Sequence, residues 1–178
     1  MPWKYVAIWM VFAGCLIGCN RTTTEKKSEA GAKKPEDEIK QAFTDLQAAI
    51  KARDVEKIWD LIDKDTRDDT ENKAKRIKEA YGKLANKDKA DFEKKFAPLT
   101  SKEIAECSGK LYVKSPAFYL GETDEMPDSK FEKVEVKGET AMLHYREKEG
   151  KGGKEERKVV RENGQWKFRL PLDDPPVK

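Results

Sequence analysis

The chain has 178 residues, 40% of them charged and 37% hydrophobic, with a formal net charge of +3. Bases and acids are interleaved as on solvated helix faces, which excludes the basic footprint of a nucleic-acid-binding protein. A single histidine, His144, excludes His–His metal pairs and paired-histidine acid–base chemistry.

Taken from the start, Met1–Tyr5 carries one base, Lys4, and Val6–Gly18 carries no charge. A membrane-spanning helix needs about 20 apolar residues. A short basic start, a short apolar run and small residues before a cut describe a secretory signal peptide instead. Leu16-Ile17-Gly18-Cys19 resembles the bacterial lipobox, in which a small residue precedes a cysteine that receives a diacylglyceryl thioether. The resemblance implies that residues 1–18 are a lipoprotein signal peptide and that lipidated Cys19 is the first mature residue. It also implies a membrane anchor in the cell envelope, facing the periplasm or the exterior, on the outer membrane where the host has one. Cys15 has similar small residues in front. Phe12 is bulkier than the usual leucine, however, and a cut there shortens the apolar run to about the lower limit of a signal core. Cleavage at Cys19 leaves 36 bases, 34 acids and one further thiol, Cys107. No intradomain disulfide is then available.

Residues 20–35 contain no large apolar side chain and read as a flexible tether, spanning roughly 20–24 Å as a coil. Their surplus of bases favours solubility, with attraction to anionic headgroups as the alternative. A folded domain is expected over 36–172. Ile39, Phe43, Leu46 and Ile50 form one stripe of an amphipathic helix. Asp54 is placed to cap a second helix striped by Val55, Ile58, Trp59 and Ile62. The acidic run 63–72 fails the calcium-loop pattern at Asp68 and Ala74 and suits a helix start. The third stripe is Ala74, Ile77, Tyr81 and Leu84. Phe92 and Phe96 share a face before Pro98, and Thr100–Glu103 is a capping box for a brief helix ending at Gly109. Residues 111–130 read as a short strand or helical turn and an exposed loop.

Beyond 130 the period changes to two. Val134 and Val136 alternate with charges, Lys137-Gly138-Glu139 turns, and Ala141, Leu143 and Tyr145 alternate with Met142, His144 and Arg146. Asn163-Gly164 signals a hairpin, with Trp166, Phe168 and Leu170 on the inward face of the last strand. The prolines that follow end it, and 173–178 read as a disordered tail. Helices first and antiparallel strands afterwards predict an α+β domain with its helices on one face of a meander.

The stretch "IKARDVEKIWDLI", followed by "VKGETAMLHYRE" and "VRENGQWKFRLPL", resembles lipoproteins with a nuclear-transport-factor-2-like, cystatin-like domain. The resemblance spans about Ile39 to Leu170. It implies helices wrapped on a curved antiparallel sheet as a cone, and a binding or accessory role in the cell envelope. Some relatives are isomerases, dehydratases or hydrolases that use a buried carboxylate and a tyrosine in the cone, which gives the alternative, an enzyme of that kind. No acid on the strands is expected in register with the apolar face, so no catalytic residue is assigned. Trp59, Tyr81, Tyr145, Trp166 and Phe168 are assigned to pocket or core. Cys107 is expected as a small buried hydrophobe. Met142 and His144 fall on the open sheet face, where a homodimer would form. No cofactor, metal or nucleic acid is expected, and the membrane is met through the N-terminal lipid.

Overall fold

The computed structural model describes residues 34–120, 122–146 and 153–177. Up to residue 33, the segments expected as signal peptide and tether, with Cys15 and Cys19, lie outside the described residues. Helix α1 spans Pro35–Ala52, with Pro35 at its first position and Glu36, Asp37 and Glu38 in its first turn. Proline presets the helical φ there, and the acids complement the free amides of the turn. Ile39, Phe43, Leu46 and Ile50 are all buried, so the stripe faces the core. The helix ends on Arg53 in the left-handed region, φ 53°, whose N–H returns to the Ile50 carbonyl.

Asp54 caps α2 (Val55–Leu61) by accepting from Lys57 N–H at 3.1 Å. Asp63, only 1% exposed, caps α3 (Lys64–Lys83) by accepting from Thr66 N–H at 2.8 Å. The acidic run is therefore a helix start. Helix α4 spans Asn86–Phe96, and Tyr81 of α3 meets Phe92 with ring centroids 5.8 Å apart. The Thr100–Glu103 capping box opens α5 (Ser101–Ala105). The Lys114 ammonium, helped by hydrogen bonds from Thr100, holds the Glu103 carboxyl down to about 2.

Gly109 differs from expectation. It does not end a helix but begins α6 (Gly109–Lys114), capped by Ser108. A Cβ on Gly109 would lie 2.7 Å from Glu71 Oε1 and 2.8 Å from both Thr70 Oγ1 and Trp59 Cη2. The glycine is there because α6 crosses α2 and α3 too closely for any side chain. Residues 111–130 are mostly helical: after α6 come 3-10 turns at Pro116–Tyr119 and Met126–Asp128, with α7 (Glu122–Glu125) between them.

The sheet follows as β1 (Lys130–Lys137), β2 (Thr140–Arg146), β3 (Lys154–Glu162) and β4 (Gln165–Phe168). It is a four-stranded antiparallel meander in the order β1-β2-β3-β4, open at both edges. Asn163 and Gly164 both take positive φ, 52° and 78°, as a tight two-residue hairpin requires. The inner face turns Leu143, Tyr145, Val159 and Phe168 onto α1, where the Phe43 ring lies 5.5 Å from Tyr145 and 6.1 Å from Phe168. The domain is α+β, as its element order predicts.

Strand β4 stops at Phe168, one residue pair short of Leu170. Leu170 is buried all the same, and its N–H donates to Thr66 Oγ1 at 2.9 Å. The segment expected as a disordered tail makes specific contacts over 173–177. The Asp173 carbonyl accepts from the Tyr112 hydroxyl at 3.2 Å, Asp174 bridges Arg76 and Lys73, and Pro175 is buried. Charge pairing to α3, which composition alone does not show, holds it in place.

Candidate functional site

Helix α2 is seven residues long, so most of its carbonyls are terminal and need outside partners. The Asp60 carbonyl accepts from the Lys167 ammonium, and the Ile62 carbonyl accepts from Arg67 Nη1 at 2.8 Å. Asp63 N–H then donates to the Phe168 carbonyl at 2.9 Å, in a parallel bridge between Ile62 and Phe168. These bonds clamp the junction of α2 and α3 onto the outer edge of β4. The clamp reaches Phe168, and a groove opens beside it.

This groove has a volume of about 490 Å³. One wall is α1, through Glu38, Gln41, Ala42 and Asp45, spaced as one helix face. Lys57, Asp60 and Leu61 of α2 close one end, and the other wall is Gly164, Gln165, Trp166 and Lys167. Alternate side chains of a strand point to opposite faces. Four consecutive residues on one wall therefore mean that the groove runs along the edge of β4 itself.

The groove mixes charged and polar residues with Ala42, Leu61 and Trp166. Trp166 is 4% exposed, and its indole N–H donates to Glu38 Oε2 at 3.2 Å. The Arg161 guanidinium lies 5.7 Å from the Trp166 ring and 3.9 Å from Glu38. Lys57 stands 3.8 Å from Asp45. Burial pushes the Lys167 amine below its ordinary value, and the ammonium is held by the Asp60 carbonyl and by Gln165 Oε1 at 2.8 Å. Lys167 is thus a cation at a helix C-terminus, committed to structure.

Of the aromatic residues singled out on sequence, Trp166 alone borders this groove. Tyr145 and Phe168 are 1% exposed and belong to the core. Tyr81 is buried between α3 and α4, its hydroxyl donating to Glu93, which pushes the phenol up. Trp59 is half-buried with its ring against Gly109 of α6. Cys107 is buried and free, its thiol pushed up by burial to about 11, as fits a core residue rather than a nucleophile.

His144 lies on the outer sheet face between two carboxylates, Nδ1 3.1 Å from Glu156 and Nε2 3.5 Å from Glu135. The carboxylates flank opposite ring nitrogens and cannot converge on one ion. No group of three metal-ligating side chains occurs among the described residues.

One expectation about the inner face fails. The register sets Glu155 opposite Tyr145 and Arg157 opposite Leu143, so an acid does fall in line with the apolar face. The Arg157 guanidinium lies 5.6 Å from the Tyr145 ring and 3.8 Å from Glu155, whose side chain is 31% exposed. A carboxylate so placed is half of an ion pair at the sheet margin, unlike the isolated buried acid that proton abstraction requires. Alternation was read on β2, where it is clean, and the charged pattern of β3 hid the register.

Sequence reasoning missed Glu38, Gln41, Asp45, Lys57 and Asp60. The signal was present only in part: 38, 41 and 45 flank the apolar stripe of α1 as a polar row. No protein-family model, curated protein or solved structure matches this chain. Among the described residues, no helix is long and apolar enough to cross a membrane.

Proposed function

We propose that this protein is an envelope lipoprotein anchored through Cys19, whose nuclear-transport-factor-2-like α+β domain acts by binding rather than by catalysis. The observation that carries the binding role is where the space lies. Phe43, Tyr145, Leu143 and Phe168 fill the inner side of the sheet at 0–1% exposure, and a groove of about 490 Å³ lies at the edge of β4. A relative that catalyses in its cone needs a cavity with an ionisable group there, and these side chains take up that volume. The anchoring rests on Leu16-Ile17-Gly18-Cys19 and the uncharged run before it.

Two acyl chains give stable anchoring, because each buried methylene adds about 0.8 kcal/mol and one chain alone is marginal. Cys19→Ser should abolish labelling by a palmitate analogue and release the protein from the membrane fraction, while Cys15→Ser leaves both unchanged. Undiminished label on the Cys19→Ser protein would overturn the anchoring.

A further inference from the structure

Helix α1 ends at Arg53 with φ 53°, a left-handed backbone that glycine or asparagine adopts at least cost. An arginine there needs a reason. The last carbonyls do not supply it, since Ile50 accepts from Arg53 N–H at 3.1 Å and Ala49 from Asp54 N–H at 2.9 Å. Nor does the helix dipole, because Lys51 already puts a cation in the last turn. The guanidinium instead lies 4.7 Å from the centre of the Tyr119 ring. No side-chain hydrogen bond or ion pair joins it to an acceptor among the described residues.

Arg53 and Tyr119 border a pocket of about 270 Å³, together with Ile50, Lys51, Pro127 and Asp128. Its walls are tied together. Gln47 of α1 donates to the Met126 carbonyl at 2.9 Å and to the Ser129 carbonyl at 2.8 Å, which holds the 3-10 turn of Pro127 and Asp128 on the helix. Tyr119 is 8% exposed, and its hydroxyl oxygen is buried without a hydrogen-bond partner. Buried hydroxyls are almost always paired, so an unpaired one on a pocket-lining residue marks a group available to a ligand. Burial pushes this phenol up against the opposing pull of Arg53, so it keeps its proton and can donate. Lys51 lies 3.9 Å from Asp128 and offsets its charge, which leaves Arg53 as the excess cation of the pocket.

We infer that this pocket binds a small carboxylate. The guanidinium fork of Arg53 donates to its oxygens, the Tyr119 hydroxyl donates to one of them, and Ile50 and Pro127 meet its aliphatic part. The Arg53 side chain is exposed, so it can shift on the ring face to admit the second oxygen. One excess positive charge suits a monoanion better than a phosphate dianion. The pocket shares no lining residue with the groove at β4 and is independent of the lipid anchor, so its failure would leave the readings above in place.

The test uses the full chain in a nonionic detergent, titrated with sodium propionate and followed by NMR. Propionate should bind saturably with a Kd on the order of 1 mM, as fits so small a ligand, and the shifts should centre on Arg53 and Tyr119. Propionamide, alike in shape but uncharged, should bind about tenfold more weakly or worse. Arg53→Gly keeps the left-handed turn and removes the guanidinium, and should weaken propionate about tenfold. Tyr119→Phe keeps the ring and removes the hydroxyl. It should weaken propionate about threefold and leave the denaturation midpoint no lower than that of the parent, because the hydroxyl has no partner to lose. Absence of saturable binding, equal binding of propionamide, or unchanged affinity in either variant overturns the inference. So does a lowered midpoint for Tyr119→Phe, which would show the hydroxyl to be a structural bond. Tighter binding of inorganic phosphate than of propionate would also sink the carboxylate assignment.

Discussion

On the inner face of the sheet Leu143, Tyr145, Val159 and Phe168 are 0–1% exposed, while on the outer face Met142, one residue from Leu143, is 36% exposed. The outer face is a lattice of charges: Lys133 with Glu135, and His144 between Glu135 and Glu156. The same strands build both faces, so a slip of one residue would send every core side chain to solvent. The two faces also differ in what they contribute. Burial of an aromatic side chain removes a large apolar area from water, whereas exposed ion pairs contribute only ~0–1 kcal/mol each. Register is therefore held by the inner face, and the outer face is free to vary in composition.

The largest expected effect is on the inner face. Phe43 touches both Tyr145 and Phe168 from α1, and Phe43→Ala should cost ~3–5 kcal/mol in chemical denaturation. A loss below ~1 kcal/mol, the range of surface changes, would mean that the inner face is not the keystone of the fold.

A smaller effect is expected where the helices meet one another. Gly109→Ala puts a methyl 2.7–2.8 Å from Glu71, Thr70 and Trp59, so overpacking should cost ~1–3 kcal/mol. The Trp59 ring forms one side of this contact, and Trp59→Leu in the same chain should recover part of the loss. An unchanged denaturation midpoint for Gly109→Ala would show that the helices separate without cost.

The smallest effect belongs to the outer face. Met142→Ala should change stability by less than ~0.5 kcal/mol, and the change should not depend on protein concentration. A larger, concentration-dependent loss would show that a second copy covers this face, and the contrast between the faces would then be one between two interfaces.

Several elements were legible because their determinants are local. The stripe of α1, the caps at Asp54 and Thr100, the acidic start of α3 and the Asn163-Gly164 hairpin each depend on residues within a few positions of one another. Gly109 was misread because a glycine after a helix and a glycine inside a helix crossing look alike in one dimension. The register of β3 was obscured because Glu155 and Arg157 face inward beside Tyr145, where an alternation rule expects apolar residues. The groove was not legible as a unit: its walls come from residues 38–45, 57–61 and 164–167, and the one member singled out, Trp166, was grouped with core aromatics.

Outside residues 109–130, the sequence by itself determined which segments are helix and which are strand, because capping, periodicity and turn chemistry act over a few residues. It likewise carried the lipobox resemblance, which depends on neighbouring residues alone. Only the tertiary structure decided which main-chain groups of β4 are covered. Asp63 reaches the Phe168 carbonyl because α3 starts there, and a groove lies where residues of α1, α2 and β4 come together. Those placements depend on packing between segments more than 100 residues apart, where no local signal extends.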